Sequence, residues 1–62
     1  MMPKEIRSRR LALGMSVEEL ARELGLPADV VRAMESGDQP VADRRLLQQT
    51  FARREREQHE QE

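Results

Sequence analysis

The reactive side chains of this 62-residue chain are almost all charged, and their chemistry is pairing and anion binding rather than bond making. Cysteine is absent, which removes the thiolate nucleophile, the thiolate metal ligand and the disulfide together. The one histidine, His59, lies in an acidic, glutamine-rich tail with no second ligand nearby. It reads as a solvated residue, not as a base or a metal ligand. No nucleophile can be paired with a base, and there is no glycine-rich phosphate loop and no metal-ligand set. The expectation is no enzyme, no cofactor and no small-molecule substrate. One phenylalanine with no tryptophan or tyrosine leaves no aromatic platform for single-stranded bases to stack on. What remains is arginine, whose planar fork binds carboxylate or phosphate, and a few serines and acids at the spacing that starts helices.

The formal net charge of -1 hides an uneven distribution. Up to Ser16 there are Lys4, Arg7, Arg9 and Arg10 against Glu5 alone. From Val17 to Gln39 the acids Glu18, Glu19, Glu23, Asp29, Glu35 and Asp38 face only Arg22 and Arg32. After Pro40 the signs balance, with Arg44, Arg45, Arg53 and Arg54 ahead of the glutamates of the tail. A nucleic-acid binder needs a coherent basic face, because phosphate neutralisation supplies most of the non-specific affinity. Here the cations flank an acidic middle.

The elements that position these residues follow from caps and periodicity. Met1 to Leu13 reads as a first helix, with Pro3 in the first turn, where its missing N–H costs nothing. Ile6, Arg10 and Leu13 share a face, with Leu11 beside them, and Gly14 ends the helix. Ser16 and Glu19 form a capping box, and Met15 with Leu20 forms the matching staple of a second helix over about 17–24. Leu20, Ala21 and Leu24 make its buried face, and Gly25 closes it. A third helix spans about 28–36, with Asp29 near its positive end and Val30, Val31 and Met34 as its apolar residues. Ser36 and Gly37 finish it. A fourth helix starts near Val41 or Asp43, with Leu46, Leu47, Thr50 and Phe51 as its seam. Residues 53–62 are entirely polar and are expected to extend this helix and to fray at its end. No apolar run approaches membrane-spanning length, and Met1 to Arg10 is too polar for a signal peptide, so the expected setting is cytoplasmic and away from membranes.

Arg10, Gly14, Ser16, Glu19, Leu20, Ala21, Gly25, Val31, Glu35 and Gly37 stand as they do in the Cro/CI-type (XRE-like) helix-turn-helix family of phage repressors and bacterial regulators. The resemblance covers roughly residues 3 to 52 and is carried best by Leu20-Ala21 followed by Gly25 and Val31. Ala21 is small enough for two helices to approach, and Gly25 permits a positive backbone angle. The resemblance implies an all-α, small four-helix helix-turn-helix domain, lambda-repressor-like, over residues 1–52, with the last helix extended and the fifth helix of relatives missing. It also implies an ion pair between Arg10 and Glu35; the plainer reading makes both ordinary surface charges.

A family function implied in the same way is sequence-specific DNA binding by a small repressor-like transcriptional regulator, with the third helix in the major groove of double-stranded DNA. The positions that would meet DNA are Ser16, Val17, Ala28, Asp29, Arg32, Ala33, Ser36, Arg44 and Arg45. Several are not the usual kind. Val17 stands where relatives often carry a phosphate-binding glutamine, and Asp38 where they often carry lysine. Asp29 can accept only from the cytosine amino group, while Ala28 and Ala33 can touch a thymine methyl but donate nothing. Arg32 is the one residue of this face suited to guanine or phosphate. For Ser16 the cap reading comes first, although one hydroxyl can serve both purposes; Ser36 reads equally as a turn residue, and Arg44 and Arg45 equally as solvated charges.

The alternative is a protein-interaction module on the same scaffold, an antirepressor or adaptor, supported by the acidic middle and by apolar exposure expected at Val17, Ala28 and Val30. The core expected from Ile6, Leu13, Leu20, Ala21, Leu24, Val31, Met34, Leu46, Leu47 and Phe51 is small. A second copy, making a homodimer, or another protein is therefore expected to cover an open side.

Overall fold

The computed structural model describes residues 1–60, which form four helices and, among the described residues, no strand. They are α1 (Pro3–Ala12), α2 (Val17–Leu24), α3 (Ala28–Ser36) and α4 (Arg44–Glu60). Helix α1 starts on Pro3 and ends two residues before Gly14, inside the Met1 to Leu13 span expected from the sequence. At its start the Met2 N–H donates to the Glu5 carboxylate at 3.3 Å. Helix α2 opens on a reciprocal box: the Glu19 N–H donates to Ser16 Oγ at 3.0 Å, and the Ser16 N–H donates to the Glu19 carboxylate at 3.1 Å. The Ser16 backbone N–H first, and then the Ser16 side chain, hold the Glu19 carboxyl below the ordinary glutamate range. Gly25 ends α2 at φ 67°, a left-handed angle, and the next N–H, of Leu26, returns to the Ala21 carbonyl at 3.0 Å.

Helix α4 begins at Arg44 rather than Val41. Asp43 sets the start, accepting from the Leu46 N–H through its carboxylate at 3.0 Å and from the Leu47 N–H through its carbonyl at 3.0 Å. The helix runs unbroken past Ala52 to Glu60, and the fraying expected beyond that point concerns residues outside those described.

Ile6 of α1, Leu20, Ala21 and Leu24 of α2, Val31 and Met34 of α3, and Leu47 and Phe51 of α4 converge with Met15 on one core. Helix α3 packs against both α1 and α2, and α2 packs against α4. Two expected members differ. Leu13 and Leu46 are only half-buried, while Met15 from the α1–α2 connection and Thr50 of α4 take interior positions. Each fully buried large aliphatic or aromatic side chain contributes about 1.5–3 kcal/mol.

The centre of the core expected to be small is closed within the single chain, with half-buried apolar residues such as Leu13, Val30 and Leu46 around it. Ile6, Leu20, Val31, Met34, Leu47 and Phe51 are each 0% exposed within the single chain, and the large apolar side chains left in solvent are Met2 and Leu11. The Arg9 guanidinium sits 4.9 Å above the Phe51 ring and covers it. It is held there by two hydrogen bonds to Glu55, of 2.8 and 3.0 Å, and one to Gln48 of 2.9 Å. On the other side of α4, Arg53 and Arg54 donate to the two oxygens of Glu23 on α2, at 2.8 and 3.0 Å. The polar end of α4 is thus fastened to α1 and α2 by charge, not by apolar contact. Among the described residues no helix is long and apolar enough to cross a membrane.

Candidate nucleic-acid interface

Helix α3 buries one stripe and presents another. Val31 and Met34 point into the core with no exposed area. Asp29, Arg32, Ala33 and Ser36 recur at the three- and four-residue spacing that lines one face of a helix, and Asp29, Arg32 and Ser36 are exposed. The core therefore fixes the orientation of this outward stripe.

The most buried charge lies behind it. Arg10 Nε and Nη2 donate to the two carboxylate oxygens of Glu35 at 2.7 and 3.0 Å, and Nη1 donates to the Met15 carbonyl at 2.9 Å. The two side chains are 10% and 8% exposed. The hydrogen bonds to Glu35 raise the Arg10 pKa above its ordinary value against the opposing effect of burial. The bidentate fork ties the last turn of α1 to the last turn of α3, and its third bond anchors the connection into α2. Every donor of the fork that faces the interior has an acceptor, so the pair orients three elements without leaving a buried polar atom unsatisfied.

Arg32, the cation of the outward stripe, is not free. Its Nη2 donates to the Glu18 carboxylate in the first turn of α2, and both side chains remain more than half exposed. The Ser36 hydroxyl lies 3.1 Å from the Ala33 carbonyl and 2.8 Å from the Asp38 carboxylate, so its hydrogen is already committed within the chain. Ser16 is occupied as a cap. Val17, Ala28 and Val30, expected to be exposed, are half-buried and packed against the core. Arg44 and Arg45 are exposed at the start of α4, with Arg44 beside Gly37 and Asp38 at the end of α3. Sequence reasoning missed the Glu18–Arg32 contact. Their separation of fourteen residues spans the turn and carries no periodic signal.

Among the described residues no group of three or more histidine, cysteine, aspartate or glutamate side chains is placed to hold a metal ion. A family model described as Helix-turn-helix matches residues 6–49, more than two thirds of the chain. The chain belongs to the Cro/CI-type helix-turn-helix family. That family is one of DNA-binding regulators. Searches of curated proteins and of solved structures returned no match. In helix-turn-helix terms, α2 and α3 are the motif, Gly25 is its turn glycine and α3 its second helix.

Proposed function

We propose that this chain is a sequence-specific, repressor-like transcriptional regulator that inserts α3 into the DNA major groove. The observation that carries the reading is the outward stripe of Asp29, Arg32, Ala33 and Ser36 on a helix whose opposite face is locked into the core, within a family-matched segment. In this reading Asp29 accepts from a cytosine amino group, Ala28 and Ala33 contact thymine methyls, and Arg32 leaves Glu18 for guanine or phosphate. Ser16, Val17 and Ser36 lie against the backbone, and Arg44 and Arg45 neutralise phosphates flanking the groove. An amide-shift titration with mixed-sequence duplex at low salt tests it. Shifts concentrated at residues 16–17 and 28–36 are the expected result, and an unperturbed spectrum rejects it.

A specific contact favours a second reading, a protein-interaction module. With Arg32 paired to Glu18, the accessible charge at the front of the motif is that of Asp29 and Asp38, which suits a basic protein surface. Capture from cell extract after nuclease treatment separates the two. Partners that survive nuclease support the module, and loss of every partner removes it.

A further inference from the structure

Ion pairing divides the cations of this chain into two sets. Arg9, Arg10, Arg32, Arg53 and Arg54 each hold a carboxylate. Lys4, Arg7, Arg22, Arg44, Arg45 and Arg56 have no carboxylate partner in salt-bridge reach among the described residues. Of these, Lys4, Arg7 and Arg44 lie together. Three shallow depressions adjoin along the side of α1 that faces the end of α3. The first, at the α3–α4 connection, is bordered by Arg44 and shares Met2 and Pro3 with the second. The second is bordered by Lys4 and Arg7 and shares Arg7 and Ser36 with the third. The third ends at Val17 and Arg32, against the outward face of α3.

Lys4 and Arg7 are three residues apart on α1 and so present their charges on the same side of it. Of the acids along the track, one is neutralised, and the other two keep their charge but are fewer than the cations. Glu35 is neutralised by Arg10, Glu5 accepts from the Met2 N–H, and Asp38 accepts from Ser36. A concave line of three cations without an ion-pair partner, running off the edge of α3, fits an extended polyanion better than a single carboxylate. We infer that Lys4 and Arg7 of α1, continuous with Arg44, form the track that carries the phosphate backbone of the bound duplex beside α3. This inference rests on the DNA reading given above. It gives α1 the non-specific share of affinity, with the base-facing share left to α3. Most of the charge that meets phosphate therefore comes from outside the acidic helix pair, beside the uncharged backbone contacts of Ser16, Val17 and Ser36.

Fluorescence anisotropy with a mixed-sequence duplex over a series of salt concentrations tests this. The double variant Lys4→Gln/Arg7→Gln is compared with a charge-matched control, Arg22→Gln/Arg56→Gln, whose side chains are exposed, unpaired among the described residues and outside the track. Each lost phosphate contact flattens the slope of log affinity against log salt by about 0.9, so the track variant should be shallower by about 1.8 while the control keeps the wild-type slope. All four residues are exposed, and the helical circular-dichroism signal of both variants should match the wild type. A wild-type slope in the track variant, or an equal flattening in the control, overturns the inference and leaves the DNA reading standing. A wild-type chain that binds no duplex at low salt overturns both.

Discussion

The α2–α3 pair and the outer half of α4 are both helical, yet they are held in place by different physics. Helix α2 and helix α3 bury Leu20, Ala21, Leu24, Val31 and Met34, and their one deep charge, Glu35, is locked by Arg10. Beyond Ala52, α4 has no apolar residue to bury and is fastened by Arg9–Glu55 and by Arg53 and Arg54 on Glu23. Apolar burial has no charge to screen or protonate, whereas exposed ion pairs respond to both salt and acid. The motif is therefore held mainly by burial, and the end of α4 mainly by exposed charge. The comparison also explains how the core closes: the Arg9 side chain pinned by Glu55 lies over Phe51, so a charged side chain serves where an apolar one is lacking.

The largest effect should come from the motif side. Glu35→Ala leaves the Arg10 guanidinium buried without its carboxylate, at a cost of about 3–5 kcal/mol. A domain of this size has a total stability of only a few kcal/mol, on the order of 0.05–0.15 per residue. Urea titration should find the variant largely unfolded; a loss of less than about 1 kcal/mol would make the pair an ordinary surface contact. Next in size is Gly25→Ala. A Cβ there meets nothing within 4 Å, so the cost is that of the left-handed backbone alone, about 1–2 kcal/mol. The thermal midpoint should fall accordingly, and an unchanged midpoint would mean the turn is not held at φ 67° in solution.

Smaller effects should appear on the ionic side. Glu55→Gln and Glu23→Gln should each cost about 0.2–1 kcal/mol at low salt and almost nothing near 1 M salt, with faster amide exchange confined to residues 53–60. A salt-independent loss would assign α4's outer half to packing instead. The hydrogen bonds from Arg9 hold the Glu55 carboxyl below its ordinary value, which unfolded chains have near about 4.3. The stabilisation from this carboxylate is complete above that pH and disappears as pH falls through the lower folded-state value. Acid titration should therefore loosen residues 53–60 before the motif, and simultaneous loss of both would erase the distinction. The smallest effect concerns the outward face. Glu18→Gln frees Arg32 from an exposed pair of less than about 1 kcal/mol, so duplex affinity should rise by no more than about fivefold with stability unchanged. A fall in affinity would mean that Glu18 orients Arg32 instead of competing for it.

The local grammar of the chain was legible in its sequence. Ser16 with Glu19, Pro3 in a first turn, and glycines at 14, 25 and 37 mark the helix ends by backbone chemistry that acts over a few residues. The spacing of Leu20, Ala21, Leu24, Val31 and Met34 defines the buried faces for the same reason, and the resemblance these residues carry leads to the family. Neighbours four residues apart share a helix face whatever the rest of the chain does. What lay beyond reach was every decision taken between charges distant in sequence. Arg9 meets Glu55 across forty-six residues, Arg53 and Arg54 meet Glu23 across about thirty, and Arg32 meets Glu18 across the turn. A chain that is more than one third charged offers many such partners, and sequence spacing does not rank them. Only the packing of the four helices selects which arginines are neutralised. That selection places Arg9 over Phe51, pairs Arg32 with Glu18 and leaves Lys4, Arg7 and Arg44 among the cations without an ion-pair partner.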